Sequence, residues 1–144
     1  MNLETRKPGI ELGNIELTDR IIAARIRVHK ELGPSFLEIM YEEALAIELA
    51  NAGISFERQK LLPVFYREHL IGEHRVDLVI DHKVIVELKA IAALEDIHFA
   101  IVRSYLKAAG LADALLLNFA ATRLAVKRVG REYNPKADLE HIQL

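Results

Sequence analysis

The sequence predicts an α/β fold in which a mixed central β-sheet is flanked by α-helices. Stretches with apolar residues at helical spacing lie before and after a run of short segments rich in β-branched and apolar residues. The predicted order of elements is α-α-β-β-β-β-α-β-β. A sheet between helices is the packing that buries the apolar side of both kinds of element, so we expect helices on both faces.

Two helices are predicted before the first strand. Thr18 and Asp19 offer an N-cap for the first helix, and Gly33-Pro34 ends it, because glycine suits a C-terminal cap and proline cannot continue the helix. The second helix is predicted over residues 35–52. Ser35 is its expected N-cap, with Glu38 three residues later in capping-box spacing.

The remaining elements are predicted from the spacing of apolar residues and from the content of β-branched residues. A third helix is predicted over residues 95–109, ending at Gly110, because apolar residues return there to helical spacing. Strands are predicted over residues 55–60, 61–67, 75–80, 84–89, 114–119 and 124–129, since each is rich in β-branched and apolar side chains.

The length of 144 residues predicts one domain. We expect this domain to span residues 18–132, with a loosely ordered N-terminal segment over 1–17 and a C-terminal tail over 133–144. The chain contains no cysteine, which excludes disulfides and cysteine-based sites. No signal-peptide core and no membrane-spanning apolar run is present, so the sequence predicts a cytoplasmic protein without a membrane partner.

Charge gives only a weak indication of partners. The formal net charge of −2 disfavours non-specific binding to nucleic acid, which depends on lysine and arginine neutralising phosphates. The stretch 123–136 is nevertheless basic, with five lysine or arginine residues and one acid. Such a run is typical of a solvated face.

Three charged residues interrupt the two most apolar predicted strands. Asp77 lies in one strand, and Glu87 and Lys89 lie in the next, on the same face because side chains alternate along a strand. Buried carboxylates close together are costly unless a cation lies between them, and Mg²⁺ prefers oxygen ligands. The pattern therefore predicts an ion held by Asp77 and Glu87, with the carbonyl of Leu88 as a further candidate ligand. Lys89 would orient or deprotonate a water, or stabilise charge on a phosphate.

A purely structural ion pair explains the same residues equally well. Lys89 would neutralise Glu87, and backbone donors or Arg75 would cap Asp77. The length of the turn between the two strands is a test of the metal-site interpretation. A regular two-residue turn at Asp81-His82 would put the carboxylates on opposite faces and contradict a metal site, whereas a three-residue loop or a bulge would put them on one face.

Several separate motifs, in order, carry a resemblance to a known family. The chain resembles the GxxExxY family of the PD-(D/E)XK nuclease superfamily over about residues 15–130. The motifs that carry it are Glu38-Ile39-Met40-Tyr41, Arg58-Gln59-Lys60, Glu73-His74-Arg75-Val76-Asp77-Leu78-Val79, Val86-Glu87-Leu88-Lys89-Ala90, Ser104-Tyr105-Leu106-Lys107 and Leu115-Leu116-Leu117-Asn118-Phe119.

The resemblance implies a restriction-endonuclease-like fold and hydrolysis of phosphodiester bonds in nucleic acid, with DNA favoured over RNA. It implies Mg²⁺ or Mn²⁺ as the cofactor, with Glu38, Asp77 and Glu87 as ligands and Lys89 as the catalytic cation. Arg75, Gln59 and Tyr105 become candidates for contacts with the substrate or with the ligands. A homodimer would supply the two sites that double-strand cleavage needs.

Three positions depart from the pattern. Ser35 stands where the family motif has glycine, and Val76 stands where the superfamily name has proline. Ile101 occupies the place of a glutamine that often precedes a tyrosine such as Tyr105 by four residues. The loss of that glutamine leaves a second hypothesis open, a catalytically silent nuclease fold that binds nucleic acid or protein. A hydrolase acting on nucleotides or another small phosphate ester is a third.

Overall fold

The computed structural model describes residues 14–120 and 125–131. The predicted C-terminal tail and residues 1–13 of the predicted N-terminal segment lie outside them. No helix in the described ranges is long and apolar enough to cross a membrane. In chain order, the elements are α1 (Ile15–Leu32), α2 (Glu38–Asn51), β1 (Phe56–Tyr66), β2 (His69–Ile80), β3 (Val84–Lys89), α3 (Asp96–Ala109), β4 (Asp113–Asn118) and β5 (Ala125–Gly130).

The five strands form one mixed sheet in the order β1-β2-β3-β4-β5. Only β3 and β4 are parallel, and α3 makes the crossover that a parallel pair requires. One apolar cluster packs α1 and α2 on the sheet, and a second packs α3 on it. The prediction of a mixed sheet with helices on both sides is therefore confirmed.

The predicted starts of the first two helices are wrong. α1 begins at Ile15, and the Thr18 hydroxyl donates to the carbonyl of Ile15, 2.9 Å away, from inside the helix. α2 begins at Glu38 after an extended Leu37, without a side-chain cap, and Ser35 has a φ of 81°. By contrast, α3 has the predicted bounds almost unchanged, because Glu95 caps it and Gly110 ends it in the left-handed conformation.

The four predicted middle strands are three. In place of the predicted strands 55–60 and 61–67 there is the single strand β1, which pairs with β2 as a long hairpin. Lys60 and Leu61 are consecutive residues, and neither is a glycine or a proline. The sequence therefore has no turn residue at the predicted boundary. Pro63 is tolerated within β1 because this strand lies at the sheet edge.

The basic stretch near the C-terminus is not a uniformly solvated face. Lys127 and Arg128, on β5, are buried. Arg128 donates to the Thr18 hydroxyl at 2.8 Å and to the Asp19 carboxylate at 3.1 Å. The expectation of a solvated face is thus wrong for these two residues, and Arg128 connects β5 to α1. Arg123 and Lys136 lie outside the described residues.

Candidate metal centre

The turn between β2 and β3 meets the condition that a metal site imposes. Ile80 pairs with Val84, which leaves a three-residue loop, Asp81-His82-Lys83. Asp81 and His82 both have positive φ, at 51° and 56°. The next residues beyond the Leu78–Val86 pair are Asp77 and Glu87, and their side chains are within hydrogen-bonding distance of each other. The two carboxylates therefore lie on the same face, as the three-residue loop requires.

The contacts of the structural ion pair are present, but they do not satisfy both carboxylates. Lys89 Nζ lies 3.4 Å from Glu87 Oε2, and the backbone N–H of Leu88 donates to Asp77 Oδ2 at 2.9 Å. Glu87 Oε1 is buried and has no hydrogen-bond partner among the described residues. The site thus has one lysine for two neighbouring carboxylates, and the acceptor Glu87 Oε1 is left without a hydrogen bond among the described residues.

The electrostatic environment of Glu87 also favours a bound cation. Burial, and next the adjacent Asp77 carboxylate, raise the pKa of Glu87 well above its usual range, although Lys89 acts in the opposite direction. The side chains of Asp77 and Glu87 are within hydrogen-bonding distance of each other. A bound cation would favour the charged form of both, so this pair of hard oxygen donors fits a divalent metal ion.

Glu38 lies near this pair without completing a three-acid ligand set. Its carboxylate accepts a hydrogen bond from the backbone N–H of Ala90, just beyond β3, and the charges of Lys89 and Asp77 both act on it. Within the described ranges, no group of three or more histidine, aspartate or glutamate side chains could hold an ion by itself. The protein carboxylates that are in contact here are Asp77 and Glu87.

Tyr105 extends towards the same acids from α3. Burial, Glu87 and Asp77 together raise the pKa of Tyr105 to about 12, so its hydroxyl is protonated and able to donate at neutral pH. The His74 ring packs edge-on against the Tyr105 ring, with centroids 4.9 Å apart, and His74 Nε2 lies 3.3 Å from the Ser104 hydroxyl. Ile101, one turn before Tyr105, is exposed.

The other candidates divide between the site and the surface. Gln59 Nε2 lies 3.3 Å from Asp77 Oδ1, so Gln59 contacts the acid pair directly. Arg75 is exposed and does not cap Asp77, whose two oxygens receive their hydrogen bonds from Leu88 and Gln59. Sequence reasoning missed Glu42, which accepts the same Gln59 amide at 2.7 Å. Its i, i+4 spacing from Glu38 was the available signal.

Together, the fold and the site define an α/β protein of the restriction-endonuclease-like class, with an acid pair and a lysine on adjacent central strands. A family model described as the PD-(D/E)XK nuclease superfamily matches residues 15–129. The chain belongs to this superfamily, whose nucleases generally use divalent metal ions.

Similarity beyond the family model is limited. The chain is similar to the crystal structure of SSO0001, with 14% sequence identity and a TM-score of 0.47, over 83% of this chain and 68% of that one. No curated protein matches the chain.

Proposed function

We propose that this protein is a Mg²⁺- or Mn²⁺-dependent nuclease that hydrolyses phosphodiester bonds, with DNA favoured as the substrate. Asp77 and Glu87 hold the ion, and Lys89 is the catalytic cation. The single observation that carries the proposal is the buried oxygen of Glu87, which lacks a partner among the described residues while a second carboxylate lies beside it. Retaining such an arrangement is costly unless a cation compensates it.

Two protein carboxylates are enough for this role. Mg²⁺ usually keeps several waters and is bound through one or two carboxylates together with phosphate oxygens of the substrate. The absence of a three-acid set in the described part of the chain therefore fits an ion shared with the substrate. Glu38, which lies near Asp77 and Lys89, then acts as an outer member of the ligand set.

A bound divalent ion supplies Lewis acidity for the phosphoryl group and lowers the pKa of water. The chain's own residues supply position and charge. Lys89, on the same face as Glu87 and about one-quarter exposed, presents its ammonium group to the developing charge on the phosphate. The protonated Tyr105 hydroxyl, whose pKa the charges of Glu87 and Asp77 help to raise, is available as a hydrogen-bond donor near this site.

Cleavage assays test this proposal. Single-stranded, double-stranded, flapped and branched DNA, and RNA, are incubated with Mg²⁺, with Mn²⁺ or with EDTA. We expect cleavage only with metal, and we expect Asp77→Ala, Glu87→Ala and Lys89→Ala each to abolish it. Asp81→Asn and Lys83→Gln are matched controls, since they change an acid and a lysine at the turn before β3.

Each outcome separates the proposal from a rival. Cleavage that survives all three alanine variants would assign the activity to another site or to a contaminant. Nucleotides and small phosphate esters in the same series test the small-substrate hypothesis. Lost cleavage with intact metal binding in Lys89→Ala would support the division of roles between the acids and the lysine.

A specific observation also favours the silent-module hypothesis. Ile101 replaces the helix glutamine, and both Ile97 and Ile101 are exposed on α3. An exposed apolar surface on the helix that carries Tyr105 is better suited to protein than to phosphate. If neither Mn²⁺ binding nor cleavage depends on Asp77 and Glu87, this second function becomes the better one.

We also assign the chain to the GxxExxY group, and the geometry at Ser35 supports this. Ser35 occupies the glycine position of the motif with a φ of 81°, which glycine adopts at little cost. Tyr41, the last motif residue, is fully buried, and its hydroxyl donates to the Gly33 carbonyl and accepts from the Phe36 N–H. Tyr41 therefore holds the turn that the glycine would allow.

Restoring the motif glycine tests this assignment. Because serine is strained at positive φ, we expect Ser35→Gly to raise the free energy of unfolding by about 0.5–1 kcal/mol in urea titrations. Pro34→Gly is the matched control, since it places a glycine one residue earlier and outside the positive-φ position. Destabilisation by Ser35→Gly would contradict the idea that this turn is built for glycine.

A further inference from the structure

The side-chain amide of Gln59 lies between two carboxylates that belong to different parts of the fold. Its Nε2 is 2.7 Å from Glu42 Oε1 on α2 and 3.3 Å from Asp77 Oδ1 on β2. A primary amide has two N–H donors, so one group can serve both acceptors. Gln59 therefore connects the helix to one of the two proposed metal ligands.

The backbone is distorted at the place that makes this contact. Gln59 has a φ of 50°, although it lies within β1 between the Arg58–Leu78 and Lys60–Val76 pairs. On β2, Val76 packs in the cluster with α3 and Leu78 in the cluster with α1 and α2, whereas residues two apart on a regular strand share a face. β2 thus changes face across Asp77, opposite the positive-φ residue Gln59 on β1.

Such a conformation is uncommon for a residue that is neither glycine nor asparagine, and it persists only where the surroundings hold it. Strain of this kind concentrates at functional sites. Here the surrounding contact is the Glu42 carboxylate, which receives the amide of Gln59.

Glu42 is itself held firmly. It is buried, and Arg58 donates to its Oε2 from Nη2 at 2.7 Å and from Nε at 3.1 Å. Arg58 also binds the neighbouring Glu43 on the same helix, at 2.8 and 3.2 Å. Because charge-assisted bonds of this type are short and directional, the oxygen that faces Gln59 has a fixed position.

We propose that Glu42 and Gln59 are positioning residues, through which α2 fixes the orientation of the Asp77 carboxylate for the metal ion. This inference rests on the proposed function of Asp77 as a ligand. It leaves no N–H of the Gln59 amide for a substrate, since both are engaged by protein carboxylates. Asp77 is then constrained from two sides, by the Leu88 N–H at Oδ2 and by Gln59 at Oδ1.

The variant Gln59→Asn tests this role. Asparagine tolerates positive φ and keeps the amide, but its shorter side chain cannot span the gap between Glu42 and Asp77. Mn²⁺ affinity is measured without nucleic acid, by electron paramagnetic resonance of the free ion. We expect the affinity to fall about 10–100-fold, the usual effect of removing a group that orients a ligand. In cleavage assays, kcat should fall with the KM for nucleic acid almost unchanged.

Two further variants and a control complete the test. Gln59→Gly, which removes the side chain but accepts the backbone conformation, and Glu42→Gln should both reproduce the loss of Mn²⁺ affinity. Lys60→Gln changes the next residue, which pairs with Glu57 and not with this network, and should behave as wild type.

The outcomes distinguish the positioning role of Glu42 and Gln59 from the proposed metal centre itself. Unchanged Mn²⁺ affinity in Gln59→Asn with a raised KM would make Gln59 a substrate contact and overturn its positioning role. Unchanged affinity with lower stability would make the network merely structural, and this result too would overturn the positioning role. Mn²⁺ binding that survives Asp77→Ala and Glu87→Ala would instead overturn the metal centre itself.

Discussion

Glu42 and Glu87 are both buried glutamates, 3% and 6% exposed, and their surroundings differ sharply. Both oxygens of Glu42 accept hydrogen bonds, one from Gln59 and the other from Arg58. Glu87 has a long contact with Lys89, a neighbouring carboxylate, and an oxygen without a partner among the described residues. Burial is nearly equal, so what separates the two residues is how far their charge is compensated.

This difference shows which kind of buried acid indicates a binding site. A carboxylate whose acceptors are all used contributes to the rigidity of the fold, because its charge is already matched. A buried carboxylate beside a like charge has a raised pKa, because its charged form is unfavourable there. Binding a cation or a proton relieves this cost, so such a carboxylate indicates a binding site. In this protein the two kinds are connected, since Gln59 contacts both Glu42 and Asp77.

The largest effect on stability is expected at the compensated acid. Glu42→Ala leaves one N–H of the Gln59 amide and one edge of the Arg58 guanidinium without a protein acceptor, and hydrogen bonds to charged groups contribute about 1.5–3 kcal/mol each. Because Arg58 is partly exposed and can turn to water, we expect the free energy of unfolding to fall by about 2–3 kcal/mol in urea titrations.

Glu43→Ala is the matched control for this change. Glu43 contacts the same arginine from the same helix, but its side chain is 59% exposed, so water replaces what it loses. We expect its unfolding transition to stay close to that of the wild type. Equal destabilisation by the two variants would contradict the comparison, because it would mean that burial of Glu42 adds nothing to the contact.

Much of the fold was predictable because local signals agreed with the tertiary structure. The Glu95 cap and the Gly110 stop bound α3, and the apolar run Val84–Val86 marks a strand buried on both faces. The errors arose where the tertiary structure overrides local preference. α2 has no side-chain cap although Ser35 and Glu38 have the spacing of a capping box, and β1 continues across the strand boundary predicted between Lys60 and Leu61.

The candidate site was predictable in part for a related reason. Asp77, Glu87 and Lys89 interrupt apolar strands, and such interruptions are visible in the sequence. Glu42 is not visible in this way, because an acid on a helix is ordinarily solvated and its burial depends on Arg58, which is distant along the chain. The distortion at Gln59 is not visible either, because it is a backbone conformation that no propensity assigns to glutamine.

The smaller effect, of opposite sign, is expected at the uncompensated acid. Glu87→Gln keeps the shape of the side chain, removes the charge beside Asp77, and supplies an N–H group that can donate to the Asp77 carboxylate. Stabilising substitutions commonly contribute about 0.5–2 kcal/mol each, and their recurrent cost is lost function where activity needs a destabilised site. We therefore expect the metal-free variant to be about 1 kcal/mol more stable than the wild type in urea titrations.

Metal should reverse the order of the two proteins. An ion that binds only the folded state stabilises it by about 2.7 kcal/mol at one hundred times its dissociation constant. Saturating Mn²⁺ should therefore raise the Tm of the wild type above that of Glu87→Gln, whose Tm should hardly respond. A metal-free Glu87→Gln that is less stable than the wild type would place Glu87 with Glu42, as an acid that the fold already satisfies. If Glu87 is a metal ligand, its charge must lower the stability of the metal-free protein and raise the stability of the metal-bound protein. Both effects are therefore required for the metal-site assignment.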